Sequence, residues 1–219
     1  MTIEQVIERI REVGIIPVVR AANAVDAIRA VEAIEAGGIP IVEITMTVPD
    51  AVSLIRQLAK SHGHKVLVGA GTVLNAEQAN ACLDAGAQFL VSPGLSIAVL
   101  ETAKQRSKLA IAGALTPTEI MGASAQGAKL IKIFPCGSLG GAKYLKALRG
   151  PFPDLSFIPT GGVNVANAAE FLAAGAFALG VGSELIDSAA LREGKLERIV
   201  SAARELAAAV QSGRPPKSL

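Results

Sequence analysis

Eight times along this chain a short apolar, β-branched run gives way to a longer segment with helical periodicity, and few folds accommodate that rhythm. The runs fall at 15–19, 41–45, 65–69, 89–92, 109–112, 130–134, 156–159 and 178–181. Helical patterns lie near 2–13, 24–36, 49–61, 76–85, 96–106, 117–125, 140–148, 165–174 and 188–211. Thr116-Pro117-Thr118-Glu119 combines an N-cap, a proline at the first helical position and a capping-box acid. Asn75 and Asn164 can cap the helices after them, and Ala36-Gly37, Ala85-Gly86 and Ala174-Gly175 suit helix C-termini. Eight β→α units with short loops and a leading helix predict an α/β fold, a (β/α)8 TIM barrel. A doubly wound sheet is the competing architecture, but no Gly-x-Gly-x-x-Gly follows the first strand, where a dinucleotide fold would place it. A single barrel domain over residues 1–213 suits a chain of 219, with 214–219 expected as a frayed tail.

At 51% hydrophobic and 18% charged, the chain has ample material for a large core and is poor material for disorder. The net charge is +2, with Lys and Arg dispersed among acids, and there is no Trp, one Tyr and six Phe. That leaves no basic patch and no aromatic stacking platform, so nucleic acid is not an expected partner. No apolar run approaches the ~20 residues that span a bilayer, so no membrane partner is expected either. Cys82 and Cys136 give neither a metal spacing nor a disulfide framework. Met1-Thr2-Ile3-Glu4-Gln5 carries an acid early and lacks a basic-then-apolar signal, so a cytoplasmic location is expected.

One residue is out of place. Leu130-Ile131-Lys132-Ile133-Phe134-Pro135 reads as a buried strand, apolar on both faces and stopped by proline, yet it holds a lysine on the face of Leu130 and Phe134. Burial disfavours a charged ammonium, and a neutral amine attacks carbonyls, which is how Schiff-base enzymes begin. The plainer alternative is a lysine with a buried stem and a head that reaches water.

In such a barrel the active site lies at the C-terminal ends of the strands, and the polar interruptions of this sequence gather there. They are Arg20, Glu43, Thr45, Thr72, Ser92-Pro93, Lys132, Thr160-Gly161-Gly162 and Gly182-Ser183. Glu43 shares a strand face with Ile41 and Thr45, opposite Val42 and Ile44. If the aliphatic pair meets the outer helices, Glu43 points into the barrel mouth toward Lys132. It could act there as a general base raised by dry surroundings, or as an ion-pair partner of Lys132 or Arg20.

Thr160-Gly161-Gly162 and Gly180-Val181-Gly182-Ser183 follow the last two strands, where barrels often bind phosphate. The alternative is tight turns that need glycine for positive φ. Gly69-Ala70-Gly71-Thr72 is less specific; its glycines could merely permit a turn. His62 and His64 fall in a loop at the other end of the barrel, with no neighbouring carboxylate in sequence, and read as solvated. Cys136 sits beside the proposed site, but nothing demands that it react.

Taken together, the segments Ile15-Ile16-Pro17-Val18-Val19-Arg20, Val42-Glu43-Ile44-Thr45, Gly69-Ala70-Gly71-Thr72-Val73, Val91-Ser92-Pro93 and Ile131-Lys132-Ile133-Phe134-Pro135 resemble those of a known family. Gly150-Pro151-Phe152-Pro153, Pro159-Thr160-Gly161-Gly162-Val163 and Gly180-Val181-Gly182-Ser183 extend the likeness over nearly the whole chain. The family is that of the class I 2-keto-3-deoxy-6-phosphogluconate aldolases, also described as 4-hydroxy-2-oxoglutarate aldolases. The resemblance implies a metal-independent, cofactor-free lyase that cleaves a keto-deoxy acid phosphate to pyruvate and glyceraldehyde 3-phosphate. It implies Lys132 as the imine-forming residue and Glu43 as the proton carrier. Thr72 resembles the residue that binds the pyruvate carboxylate; Pro93, Phe134 and Thr160 would line the pocket, with Thr45 beside them. Gly161, Gly162, Gly182 and Ser183 match the phosphate end, and the family is typically a homotrimer.

There is one departure. The best-known branch has arginine four residues after the glutamate, where this chain has Thr47. Arg20, at the end of the first strand, is the expected substitute, as in related branches, because a bidentate guanidinium suits a carboxylate. Glyoxylate release from 4-hydroxy-2-oxoglutarate and cleavage of the galactonate epimer are the alternative reactions; the hydroxyl of Thr160 leans toward the gluconate series. A silent barrel that only binds a sugar phosphate is the non-enzymatic alternative.

Overall fold

In a computed structural model that describes residues 1–214, eight parallel strands alternate with helices. The strands are β1 (Ile15–Val19), β2 (Ile41–Thr45), β3 (Leu67–Gly71), β4 (Phe89–Val91), β5 (Leu109–Ala114), β6 (Leu130–Ile133), β7 (Ser156–Pro159) and β8 (Leu179–Val181). They pair in the order β7-β6-β5-β4-β3-β2-β1-β8, and a parallel bridge between Thr160 and Gly180 joins the two ends. The sheet closes into a (β/α)8 barrel. The helices around it are α2 (Ala24–Ala36), α3 (Ala51–Ser61), α4 (Ala76–Asp84), α5 (Ile97–Gln105), α6 (Pro117–Ala125), α7 (Ala142–Arg149), α8 (Ala168–Ala173), α9 (Ser188–Arg192) and α10 (Leu196–Gly213). None of the described helices is long and apolar enough to cross a membrane.

The leading helix, α1 (Ile3–Val13), has a Thr2/Gln5 capping box at its start and ends on Gly14 at φ 73°. Its Val6 and Ile10, four residues apart on one face, pack with Ile16, Ile41, Leu67, Phe89, Leu109 and Leu130 inside the barrel. The helix thus plugs the N-terminal end of the barrel with aliphatic side chains. Odd-numbered β1 residues and their counterparts on the other strands face the helices in a second, larger core. Period-two alternation then decides which upper residues face inward, and polar side chains enter only above the aliphatic layers.

The structure shifts β3 two residues beyond its expected span of 65–69, because Gly69 and Gly71 lie within the strand and not in a turn. The expected single helix over 188–211 is broken: α9 and α10 are separated at Gly194, whose φ is 70°. Asn164 does not cap a helix directly. Asn164 and Asn167 each accept a hydrogen bond from the other's backbone N–H (3.2 and 2.9 Å), and α8 starts after Asn167. Of the expected tail, Arg214 donates to the backbone oxygens of Glu12 and Arg11, and residues 215–219 lie outside the described residues.

Because Ile10 is fully buried in the plug, Ile10→Ala should lower unfolding stability by about 2–5 kcal/mol. Denaturant melts check this, and an unchanged midpoint would contradict the packing of α1 into the barrel.

Candidate active site

Inward positions at the upper ends of the strands bring Lys132 from β6 and Glu43 from β2 together across the barrel. Lys132 Nζ lies 3.5 Å from Glu43 Oε1, with the two side chains only 6% and 3% exposed. The register explains the approach. Lys132 sits beside Gly113 on β5 and Ile158 on β7, while Glu43 sits beside Val18 on β1 and Gly69 on β3. The space that Glu43 fills is left by another glycine of β3, Gly71, where a built Cβ would overlap its side chain.

The contact is an ion pair without a well-formed hydrogen bond, since Glu43 Oε1 is buried and has no hydrogen-bond partner. Burial raises the Glu43 carboxyl above the ordinary carboxylate range, and the positive charges of Lys132 and, more weakly, Arg20 pull it partway back. Lys132 Nζ also lies 5.4 Å from the centre of the Phe134 ring, so the head group is held between a carboxylate and an aromatic face. This is a desolvated amine beside a carboxyl that gives up its proton at higher pH than usual.

Around the pair, Thr72 has φ 57°, a left-handed backbone conformation that a β-branched residue rarely adopts. It follows β3 directly, half-buried beside the mouth. Thr160 is inward and buried, its hydroxyl making only a long 3.4 Å bond to Ile158 O. Pro93 is half-buried, and its backbone packs over Gly113 where any Cβ would collide. Ser92 Oγ accepts from Gly113 N at 3.2 Å, tying the two strand ends together.

Arrangement and sequence converge with known proteins. A family model described as KDPG and KHG aldolase matches residues 6–202. The KHG/KDPG aldolase of Escherichia coli (strain K12) is 38% identical over 191 residues, covering 87% of this chain and 89% of that one. The chain belongs to the KDPG and KHG aldolase family. It is an aldolase, and therefore a lyase. The 2-dehydro-3-deoxy-phosphogluconate aldolase of Dickeya dadantii (strain 3937) is 38% identical over 173 residues, covering 79% of this chain and 81% of that one. Among solved structures, the KDPG aldolase of Legionella pneumophila, with pyruvate captured as a covalent carbinolamine, superposes with a TM-score of 0.85. It is 30% identical and covers 91% of this chain and 97% of that one.

The remaining expected residues of this aldolase divide into two groups. Arg20 is exposed at the rim and makes no ion pair among the described residues, yet its charge is felt at Glu43. Thr45 departs from the expectation. It is wholly buried, its hydroxyl donating to Val19 O at 3.0 Å and accepting from Thr47 Oγ1 at 2.7 Å, so the group ties strand ends together within the protein. Gly161 and Gly162, at φ 88° and 75°, line an open groove of about 540 Å³ together with Gly137, Asn167 and Glu170. Gly182 is half-buried and Ser183 exposed on the neighbouring loop.

Gly180 and Gly182 do not have positive φ, so the turn explanation holds for Gly161 and Gly162 alone. A Cβ at Gly180 would strike the Thr160 side chain. Burial pushes the Cys136 and Cys82 thiols up to about 11, which keeps both protonated and unreactive near neutrality. His62 is not free of carboxylates: packing of α2 against the loop brings Glu32 within 3.9 Å of its Nε2, a partner remote in sequence. Another groove, at the barrel's opposite end, is lined by Met1, Arg9, His64 and Lys65 and holds none of the paired groups. Among the described residues no three His, Cys, Asp or Glu side chains gather as a metal site would need.

Left-handed backbone at a non-glycine residue costs about 1–3 kcal/mol, part of which a glycine would lose again to chain entropy. Thr72→Gly should therefore keep or gain stability, by up to ~1 kcal/mol. A thermal melt showing a large loss would remove the strain from the description of this site.

Proposed function

We propose that this aldolase uses Lys132 as its Schiff-base residue and Glu43 as its proton carrier, acting on 2-keto-3-deoxy-6-phosphogluconate. The observation that carries the reading is the 3.5 Å contact of a buried lysine with a buried carboxylate at the barrel mouth. Deprotonated Lys132 Nζ adds to the C2 ketone, and the alkoxide takes a proton to give a carbinolamine. Glu43, protonated, delivers a proton to the departing hydroxyl, so water leaves and an iminium forms. The resulting carboxylate then takes the C4 hydroxyl proton, directly or through water. The C3–C4 bond breaks, its electron pair moves to the iminium nitrogen, and an aldehyde and an enamine result. Protonation at C3 and hydrolysis of the imine release pyruvate and restore Lys132. A carboxyl that titrates above its usual range suits both proton donation and proton acceptance near neutral pH.

Substrate placement follows from the rim. Arg20, exposed and unpaired among the described residues, supplies the charge for the substrate carboxylate, with Thr72 beside it. Thr160 and Phe134 line the carbon chain, while Gly161, Gly162 and Ser183 take the phosphate. The positive φ of the two glycines and their open groove support that end. The same reading puts the enzyme in the cytoplasm as a homotrimer. The relatives' names cover both the gluconate-series substrate and the shorter keto acid cleaved by KHG aldolases.

Lys132→Met should abolish turnover, since a thioether cannot form an imine. Comparing kcat/KM for the phosphorylated acid, its C4 epimer and unphosphorylated 4-hydroxy-2-oxoglutarate orders the substrates. The reading expects the phosphorylated gluconate-series acid first, and indifference to phosphate would refute the roles of Gly161, Gly162 and Ser183.

Arg20→Ala should chiefly raise KM for the keto acid. It should also move the acidic limb of the pH–rate profile upward, because removing a positive charge lets the Glu43 carboxyl rise further. A downward shift, or unchanged kinetics, would contradict the assignment.

A further inference from the structure

Gly71, the last residue of β3, has an ordinary strand backbone and is not among the residues with positive φ, so conformational freedom does not explain it. Space does. A Cβ built on Gly71 would lie closer than 3.0 Å to Oε1, Cδ and Cγ of Glu43, a separation real Cβ atoms do not show. The carboxylate of Glu43 therefore lies directly over the bare α-carbon of Gly71. Its oxygen on that side, Oε1, is the one that approaches Lys132, and it has no hydrogen bond to fix its direction. Attraction to Lys132 acts on it from one side, and the bare Gly71 leaves the space in which it lies. Neighbouring Gly69 clears a different group, the ring of Phe89 in the aliphatic layer below.

We infer that Gly71 is a positioning residue for the proton-transfer step: the absence of its side chain sets the direction of Glu43 and hence its approach to Lys132. The inference rests on the proposed role of Glu43 and deepens it. A methyl group at position 71 displaces the carboxylate while leaving the Lys132 amine, contributed from the far side of the barrel, in place, so that imine formation slows but is not abolished.

A two-by-two cycle tests it, with Gly71→Ala made in the wild-type and in the Glu43→Ala backgrounds. Three quantities are read: Tm, borohydride trapping of pyruvate on Lys132, and deuterium exchange at the pyruvate methyl group, which requires proton transfer at C3. In the wild-type background, Gly71→Ala should lower Tm and slow exchange by about 100-fold or more, the range of general acid–base catalysis, while trapping on Lys132 slows but still reaches completion on long incubation. In the Glu43→Ala background the same substitution should change Tm little and exchange less than about 3-fold, because neighbours that act as a unit are not additive. If Gly71→Ala fails to fold alone but folds beside Glu43→Ala, the steric claim is equally supported. Equal losses in both backgrounds would overturn the inference, since the glycine would then serve the strand and not the carboxylate. Should Glu43→Ala by itself leave exchange intact, the proton-transfer role of Glu43 fails, and Gly71 has no catalytic group to position.

Discussion

A lysine and a glutamate share the dry upper layer of this barrel, and the rest of the site is arranged around holding them there. Withdrawing two charges from water costs several kcal/mol per ion, and mutual attraction across 3.5 Å without a good hydrogen bond does not obviously recover it. The pair is therefore a poor device for stability. It suits the proposed chemistry, because it sets an amine beside a carboxyl that burial raises above its ordinary range. The stability of the domain comes from elsewhere, from the α1 plug, the aliphatic layers and the larger core under the helices.

Barrel geometry turns this local chemistry into a site. Inward positions recur every second residue, so β2 presents Ile41, Glu43 and Thr45 in succession, and β6 presents Leu130 and then Lys132. The lower members fill the interior and exclude water from below. The upper members meet at the open end, flanked by glycines on neighbouring strands. Gly71 against Glu43, Gly113 against Pro93 and Gly180 against Thr160 each leave space that a single methyl would occupy. The left-handed Thr72 belongs to the same end, where strain of this kind is characteristic of ligand-binding positions.

Much of this was legible in the sequence, for identifiable reasons. Alternating apolar runs and amphipathic helices left the barrel as the consistent architecture, and a lysine inside an apolar strand singled out the position that the structure shows buried against Glu43. Period two put Glu43 on the inward face of β2. What could not be read was tertiary space. Gly69 and Gly71 looked like turn residues and drew the end of β3 back by two positions, because their neighbours Phe89 and Glu43 come from other strands. Thr45 has the right face and the right end, but its hydroxyl is taken by Val19 and Thr47, a matter of side-chain contacts that spacing does not encode. Gly194 sits in a strongly helical stretch and still ends α9, and Glu32 reaches His62 only through the packing of an adjacent helix.

The amine of Lys132 is the group on which the whole account depends, and reductive trapping addresses it most directly. The protein is incubated with pyruvate, treated with borohydride, digested, and the modified peptide located by mass spectrometry. A single stable adduct on Lys132, formed only when pyruvate is present, is the result the account predicts. No adduct, or one spread over the exposed lysines while Lys132 stays unmodified, would contradict it.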